Sequence, residues 1–457
     1  MDRLSAQDTS FLYIENECNP MHIGVVAIFE GPAPHHDEIE EMVSSKLHLV
    51  PRYRQRVRFV PFEIGRPIWC DDPHFNLRYH VRHSALPSPG AGSQLRTLVG
   101  RVMSQQLDRA KPLWEMWVVE GLEKERWAIL SKVHHSMVDG IAGTDLLSVI
   151  MDDEPDREHP APHWWRAAPP PSALELLGDA IQEKLSSPRE AFAALRTAVE
   201  APRRALRTLS ELGDGLGSFS RLSDSELDSS LNGPIGPHRR WCWSETTLSE
   251  VKRIREAHGG TVNDIVLAAI TRGFRALLLS RDEEVEDRVV RTLVPVSVRR
   301  RDERGSYNNR VAAIFAELPV GIEDPLERLG AIREQMKHLK AHHQAVAAET
   351  LTALTGFAPP MLLALAGRLF ADVEQHSVQT VTTNVPGPQR TLYAAGRPML
   401  TAYPYVPLAV SIRVGIAIFS YAGQLTFGVT GDYDGAPDIE VLAEGIGAGI
   451  EELLSKG

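Results

Sequence analysis

Two adjacent histidines, His134 and His135, are the residues of this sequence best suited to acid–base chemistry. Asp139 and Gly140 follow them in the stretch HHSMVDG. Histidine titrates near neutral pH, and proton transfer by a positioned histidine contributes about 10²–10⁴-fold to a rate. A metal bound by His135 and Asp139 is the alternative chemistry, but the sequence has no H-E-x-x-H motif and no second cluster of histidines and cysteines. The residues by themselves therefore disfavour a metal, and they leave open whether the pair has a structural role, which is the commoner case for such pairs, or supplies a general base.

The segments around the histidines predict which of the two can act. Residues 127–135 are mostly apolar and predict a strand, in which neighbouring side chains point to opposite faces. His134 and His135 cannot then both face one reaction centre, so we expect His135 to act and His134 to pack or hydrogen-bond behind it. Asp139 and Gly140 favour a tight turn and the start of a helix. The sequence thus predicts that His135 lies at the end of a strand, a suitable position for a general base.

The bulk composition limits the classes of partner and compartment. A chain of 457 residues exceeds the size at which one hydrophobic core stops growing, so two domains are expected. The net charge of −11 repels phosphate backbones, so we expect no nucleic acid partner. Three dispersed cysteines indicate reduced thiols, and the N-terminus shows no secretory signal, so we expect a cytoplasmic protein.

The order of strand-like and helix-like segments predicts an α/β fold (α+β, with mixed sheets) in two lobes. Residues 1–151 alternate between the two patterns and contain the histidine pair, so they form the expected N-terminal lobe. Residues 152–237 combine helical stretches with segments rich in Pro, Gly, Ser and Asp, which indicates a partly helical linker. The mixed pattern returns in residues 238–457, the expected C-terminal lobe.

Two short motifs have plain structural explanations. Pro112 and Leu113 precede Trp114 at the start of an apolar segment, so Trp114 is a candidate for the core. Asn263 and Asp264 open a helical pattern, and both residue types are favoured helix caps. An Asn amide can also donate a hydrogen bond to substrate or to developing negative charge, so Asn263 is a secondary candidate for the site.

A third motif, at Asn384, predicts an irregular segment. Asn384 is followed by Val-Pro-Gly-Pro. Proline cannot donate the hydrogen bond that a strand inside a sheet requires, so the motif should break any sheet there. We therefore expect a loop at this position.

Several of these segments together resemble one known family. HHSMVDG matches the HHxxxDG motif of the coenzyme A-dependent acyltransferase superfamily, and it lies in the first third of this chain. The start LSAQDTSF with the later PMHIG, and the motifs PLW, ND and NVPGP, resemble in the same order those of the bacterial wax ester synthase/acyl-CoA:diacylglycerol acyltransferase family. The resemblance covers essentially the whole chain. HHxxxDG alone indicates only the superfamily, whereas the motifs together are specific to the family.

The resemblance implies a fold and a reaction. The fold is the two-lobed chloramphenicol-acetyltransferase-like fold, with the active site in a tunnel between the lobes. His135 would act as general base while a fatty acyl group passes from acyl-CoA to diacylglycerol or a long-chain alcohol. The product would be triacylglycerol or wax ester, formed without an acyl-enzyme and with no cofactor. Substrates of this kind imply peripheral association with the inner face of the membrane or with lipid droplets.

The resemblance also suggests roles for other residues. The main-chain N–H of Gly140 or the amide of Asn263 would stabilise the oxyanion that forms during transfer. Asp139 either orients His135 or, as in the superfamily, pairs with an arginine and holds the turn, for which Arg299 is our candidate. The remaining residues expected beside the substrates are Pro112, Leu113, Trp114, Asp264 and Asn384.

Two other functions fit the same motifs. A condensation-domain-like acyltransferase would take its acyl donor from a carrier protein instead of free acyl-CoA. A lipid-binding protein without catalysis would bind the substrates and not turn them over, although the intact HHxxxDG motif argues against this second alternative.

Overall fold

A computed structural model of the chain contains mixed sheets with helices packed against them, which confirms the α/β expectation. It describes residues 2–137, 149–161, 163–186, 229–297, 311–339, 378–408 and 411–457. The helices within these residues are α1 (Ala6–Ile14), α2 (His36–Lys46), α3 (Leu77–His80), α4 (Gly92–Ser104), α5 (Ala173–Ser186), α6 (Leu248–His258), α7 (Val262–Ser280), α8 (325–339) and α9 (Ile439–Ser455). The strands are β1 (Asp2–Arg3), β2 (His22–Phe29), β3 (Gln55–Arg58), β4 (Ile68–Asp71), β5 (Val81–Ala85), β6 (Trp114–Leu122), β7 (Arg126–His134), β8 (Arg239–Thr247), β9 (Val290–Ser297), β10 (Val311–Leu318), β11 (Thr380–Pro386), β12 (Tyr393–Ala394), β13 (Arg397–Tyr405), β14 (Val414–Tyr421) and β15 (Gln424–Asp432).

The first of the two large sheets carries the histidine pair. Its strand order is β12-β13-β2-β7-β6-β5, and only β5 and β6 run parallel. Strand β7 alternates as expected: Trp127 and Ile129 pack into one core with Phe29, while Ala128 and Leu130 pack into another on the opposite face. Both faces of β7 are therefore buried, which explains its nearly continuous apolar sequence.

Strand β7 ends one residue earlier than the sequence predicts. The ladder with β2 runs from Phe29 opposite Trp127 to His22 opposite His134. His135 begins a short 3₁₀ turn, His135–Met137, because the N–H of Ser136 turns back to the His134 ring. His135 thus lies just beyond the strand, so strand alternation does not dictate the direction of its ring.

The second large sheet has the order β10-β9-β11-β14-β15-β8. Strand β11 lies inside this sheet and pairs in parallel with β14, with Asn384 opposite Ile418. The expected loop at Asn384 is therefore wrong. Pro386 is the last residue of β11, where its missing N–H interrupts no ladder inside the sheet.

The first sheet contains strands from both ends of the chain, so no single point in the sequence separates the residues of the two sheets. Strands β12 and β13 come from the expected C-terminal lobe but pair into the first sheet, where β13 lies beside β2. Side chains of the second sheet then bind the main chain of β13: Thr426 Oγ1 donates to the carbonyl of Ala402 at 2.6 Å, and Trp241 Nε1 to that of Pro404 at 3.1 Å. These hydrogen bonds join the two sheets.

Candidate active site

His135 lies against the first helix of the chain. Its ring stacks on Phe11 of α1 with 3.9 Å between ring centroids, and its N–H donates to the carbonyl of Met21 at 2.9 Å. Burial lowers the pKa of His135 to about 4, although a hydrogen bond to its own main chain acts in the opposite direction. A hydrogen bond that raises a histidine pKa uses a ring N–H as donor, so the other ring nitrogen of neutral His135 keeps its lone pair.

His134 occupies a different environment from His135. Its side chain has 0% exposure, and its Nδ1 contacts the hydroxyl of Ser136 at 2.7 Å. The main-chain N–H of Ser136 donates to the same nitrogen at 3.1 Å. Because Nδ1 is an acceptor, the neutral ring carries its hydrogen on Nε2. The geometry fits a residue that holds the turn, whereas no hydrogen bond between described residues uses the second ring nitrogen of His135.

A buried carboxylate, Glu15, lies behind the histidine pair. Its side chain is 2% exposed and has His22 Nε2 at 3.3 Å and His134 Nε2 at 3.5 Å. Arg109, which is 38% exposed, donates to Glu15 at 2.8 Å and so brings a cation to this cluster from the surface side. Burial also lowers the pKa of His22 to about 4, so its ring is neutral near pH 7.

The PLW motif is part of the core. Leu113 and Trp114 are 0% and 1% exposed, and the Trp114 indole N–H donates to the carbonyl of Tyr53 at 2.8 Å. The His80 ring stacks on Trp114 with 4.6 Å between centroids. Pro112 is buried beside them. This packing accounts for the motif without substrate, so contact with substrate stays a prediction for these residues.

The ND motif caps helix α7. Thr261 is the cap residue, and Asp264 Oδ2 accepts its main-chain N–H at 2.8 Å while Thr261 Oγ1 accepts the N–H of Asp264 at 3.3 Å. The carboxylate of Asp264 thus serves to cap the N-terminus of α7. Asn263 is half-buried, and no hydrogen bond between described residues joins it to His135.

One further predicted site residue lies in the second sheet, and three others are not described. Asn384 lies in β11 of the second sheet, where it is half-buried. Asp139, Gly140 and Arg299 lie outside the described residues. Their expected roles in the turn and at the oxyanion stay predictions.

The structure adds residues around His135 to which the sequence analysis assigned no role. Phe11, Glu15 and His22 belong to or flank the LSAQDTSF and PMHIG segments, which entered only as marks of resemblance. No motif or pattern in the sequence indicates a role for Arg109. Their joint presence near the histidines could not be predicted, because it depends on α1, the segment after α4 and the pairing of β2 with β7.

Two findings concern metals and membranes. Within the described ranges, no group of three or more His, Cys, Asp or Glu residues is arranged to hold a metal ion. None of the helices in the described part of the chain combines the length and the apolar character that crossing a bilayer requires.

Comparison with known proteins places these observations in a family. Residues 4–266 match the wax ester synthase/diacylglycerol acyltransferase catalytic domain, and residues 307–454 match the C-terminal domain of the same family. A probable diacylglycerol O-acyltransferase of Mycobacterium tuberculosis is 37% identical over 457 residues, which span 100% of this chain and 96% of that one.

Solved structures agree with the sequence relatives. The wax ester synthase/diacylglycerol acyltransferase of Marinobacter aquaeolei VT8 has a TM-score of 0.71 and 26% identity, covering 99% of both chains. The first condensation domain of the CDA synthetase, at a TM-score of 0.56 and 15% identity over 99% of this chain and 96% of that one, shares the two-lobed fold alone. The chain therefore belongs to the wax ester synthase/diacylglycerol acyltransferase family and is an acyltransferase of that family.

Proposed function

We propose that this protein transfers a fatty acyl group from acyl-CoA to the hydroxyl of diacylglycerol or a long-chain alcohol, with His135 as the general base. The observation that carries the proposal is the placement of His135, which lies directly after β7 with its ring stacked on Phe11 and its N–H bonded to the carbonyl of Met21. Burial around the ring lowers its pKa to about 4, which favours the neutral form that a general base requires. The family match and the diacylglycerol O-acyltransferase relative support the substrate classes.

The proposed reaction is a direct transfer. The free nitrogen of His135 removes the hydroxyl proton while the oxygen attacks the thioester carbonyl, and the carbonyl electron pair moves to oxygen. Collapse of this tetrahedral intermediate breaks the C–S bond, and the imidazolium returns the proton to the CoA thiolate. Burial disfavours an isolated imidazolium, but here the cation forms together with an oxyanion, so the pair is neutral.

The other parts of the site are proposed in the same way. The tunnel between the lobes would bring donor and acceptor together, and holding two reactants in place lowers the barrier further. The main-chain N–H of Gly140 or the amide of Asn263 would stabilise the oxyanion. Asp139 with Arg299 would hold the turn after His135. No metal or cofactor takes part in this scheme.

The function is tested by CoA release from palmitoyl-CoA with dioleoylglycerol and with hexadecanol. His135→Ala should lower kcat by about 10²–10⁴-fold while the protein stays folded. His83→Ala is the matched control, because His83 is an exposed histidine of the same lobe and should leave kcat unchanged. Full activity of His135→Ala would refute the proposed role.

The same assay separates the two alternatives. Turnover with acyl groups on a carrier protein, and none with free acyl-CoA, would indicate a condensation-type enzyme. Binding of both lipids without turnover of any donor would indicate a lipid-binding protein. The relative rates with the two alcohols identify the preferred acceptor.

Association with a membrane or lipid droplet from the cytoplasmic side is part of the proposal. Phe62 and Leu174 are 83% and 80% exposed, and they flank the contact between α5 and the turn Pro61–Glu63. Exposed apolar side chains of this size favour a lipid surface. The double variant Phe62→Ser, Leu174→Ser should lose flotation with phosphatidylglycerol vesicles, while Phe315→Ser on the second sheet should not. Equal flotation of both would refute this surface.

A further inference from the structure

The carboxylate of Glu15 is buried beside the reaction site without a part in the proton transfer. It follows the last residue of α1, where its N–H donates to the carbonyl of Phe11. Arg109 forms an ion pair with its Oε2 and the N–H of Met21 donates to its Oε1, and a buried carboxylate is stable only with such partners. Three routes lead from this carboxylate to His135.

The first route runs through the main chain of Met21. The N–H of Met21 donates to Glu15 Oε1 at 3.1 Å, and the carbonyl of Met21 accepts the N–H of His135 at 2.9 Å. One residue therefore connects the carboxylate with the backbone of His135. A shift of the carboxylate moves the strand end on which His135 depends.

The second route runs through the ring of His134. Its Nε2 carries the hydrogen and lies 3.5 Å from Glu15 Oε2, while its Nδ1 accepts the N–H of Ser136. Glu15 thus favours one tautomer of His134, and that tautomer is the one that can hold the residue after His135. The backbone is restrained on both sides of His135.

The third route runs through α1 itself. Phe11 lies one turn before Glu15 on this helix and stacks on the His135 ring at 3.9 Å between centroids. The helix end that presents the carboxylate therefore also presents the aromatic face against which the imidazole packs. The end of α1 therefore restrains both the ring of His135, through Phe11, and its backbone, through Glu15 and Met21.

The charges around Glu15 keep it ionised. Burial by itself raises the pKa of this carboxyl, but hydrogen bonds from His134 and His22 outweigh burial and hold the pKa of Glu15 well below its ordinary range. Arg109 adds two hydrogen bonds to Oε2, at 2.8 and 3.1 Å. Glu15 is therefore an ionised acceptor at neutral pH.

We propose that Glu15 is a positioning residue for the acyl transfer, which orients the imidazole of His135 through Met21, His134 and Phe11. The proposal rests on the proposed function of His135. It assigns to the first helix of the chain a task in catalysis, although no atom of Glu15 needs to touch substrate.

Glu15→Gln tests the proposal because it keeps the size of the side chain and removes the charge and one acceptor oxygen. We expect kcat to fall by about 10²-fold, the cost of a displacement of about 1 Å, with KM for palmitoyl-CoA unchanged. In protein labelled with ¹⁵N-histidine, the signals of His134 should change from the Nε2–H tautomer to a mixture. These signals are identified by their loss in His134→Asn.

Asp152→Asn is the matched control. Asp152 is also a 2% exposed carboxylate, and it is paired with Lys46 at 2.6 Å, but it shares none of the described contacts of His135. Its loss should lower stability and leave kcat and the His134 tautomer unchanged. If Glu15→Gln does not fold, Glu15→Asp replaces it, since it keeps the charge, shortens the side chain and should lower kcat about tenfold.

The outcomes separate this proposal from the proposed function. Wild-type kcat in Glu15→Gln, or in Glu15→Asp when that variant has to replace it, overturns the positioning role while His135→Ala can still be inactive. An equal loss of kcat in Asp152→Asn also overturns it, because general destabilisation would then explain both results. Full activity of His135→Ala refutes the proposed function itself, whatever Glu15→Gln does.

Discussion

At the scale of single residues, the two histidines of one motif differ because their surroundings differ. His134 is fully buried, with Glu15 on one ring nitrogen and Ser136 on the other. The imidazole ring of His135 has the Phe11 ring on one face. Among the described residues, the only hydrogen-bond partner of the imidazole is the main chain of His135 itself. A base must have an unused lone pair, so the contacts of His134 suit it to support and those of His135 suit it to proton transfer.

The lowered pKa of His135, which is a half-buried residue, predicts an unusual pH dependence. Because burial lowers its pKa to about 4, the ring stays neutral well below the ordinary value of 6.5. The kcat/KM for palmitoyl-CoA should therefore stay constant from neutral pH downwards and fall only as the pH passes through about 4. The measurement is a series of short assays between neutral pH and the acid limit of the fold.

The sign of the effect on stability sets the control. Below pH 6.5 the unfolded chain binds a proton at His135 that the native protein does not, so stability falls as the pH decreases from 6.5 towards 4. Each assay therefore needs a parallel measurement of the folded fraction. If kcat/KM instead falls as the pH decreases through about 6.5 while the protein remains folded, the His135 ring is solvated in the free enzyme.

At the scale of elements, α7 illustrates how a family motif can serve the fold. Its first turn closes a capping box between Thr261 and Asp264, and the buried side of the helix then packs in the core of the second sheet. Capping satisfies N–H groups that have no partner inside the helix. The ND motif is thus explained in part by the helix start, and only Asn263 remains for another task.

Thr261→Ala tests this explanation. Loss of the cap should lower the free energy of unfolding by about 1 kcal/mol and leave kcat unchanged. Urea unfolding and the CoA-release assay measure the two quantities on the same preparation. A fall in kcat with unchanged stability would instead assign the start of α7 to the active site.

At the scale of the whole molecule, the crossing of β13 into the first sheet makes the lobes interdependent. The main chain of β13 accepts hydrogen bonds from the second sheet, and Gly428 of β15 allows the close approach: a Cβ there would lie 1.7 Å from the carbonyl oxygen of Pro404. The atom that an added Cβ would meet belongs to the main chain of β13, which cannot move aside as the end of a flexible side chain can. The position of one lobe on the other is therefore sensitive to this single residue.

Gly428→Ala should destabilise the protein by about 3 kcal/mol or more and reduce the yield of folded enzyme. Gly178→Ala is the control, since Gly178 lies exposed within α5 with nothing within 4 Å of an added Cβ. That substitution should stabilise the helix by up to about 1 kcal/mol. Thermal unfolding of both variants checks the pair, and equal melting temperatures would contradict the proposed close packing.

Much of the local structure follows from the sequence. Strand β7 spans Arg126–His134, close to the predicted strand 127–135, and helix α7 begins at Val262, where Asn263 and Asp264 predict a helix start. The alternation of side chains in β7 was also predictable, because the direction of neighbouring side chains in a strand is a local property. The segment at Asn384 was not, since whether a proline is tolerated depends on where the partner strand ends.

The amino-acid sequence by itself determined the class of fold, the family and the histidine pair, because periodicity and motifs are properties of neighbouring residues. Only the tertiary structure decided that β13 crosses into the first sheet and that Glu15, His22 and Arg109 meet behind His134. Contacts between distant segments depend on how whole elements pack, and no local pattern encodes them. For that reason no local pattern in the sequence marks Glu15, although in the structure it contacts both Met21 and His134, the two residues that adjoin His135.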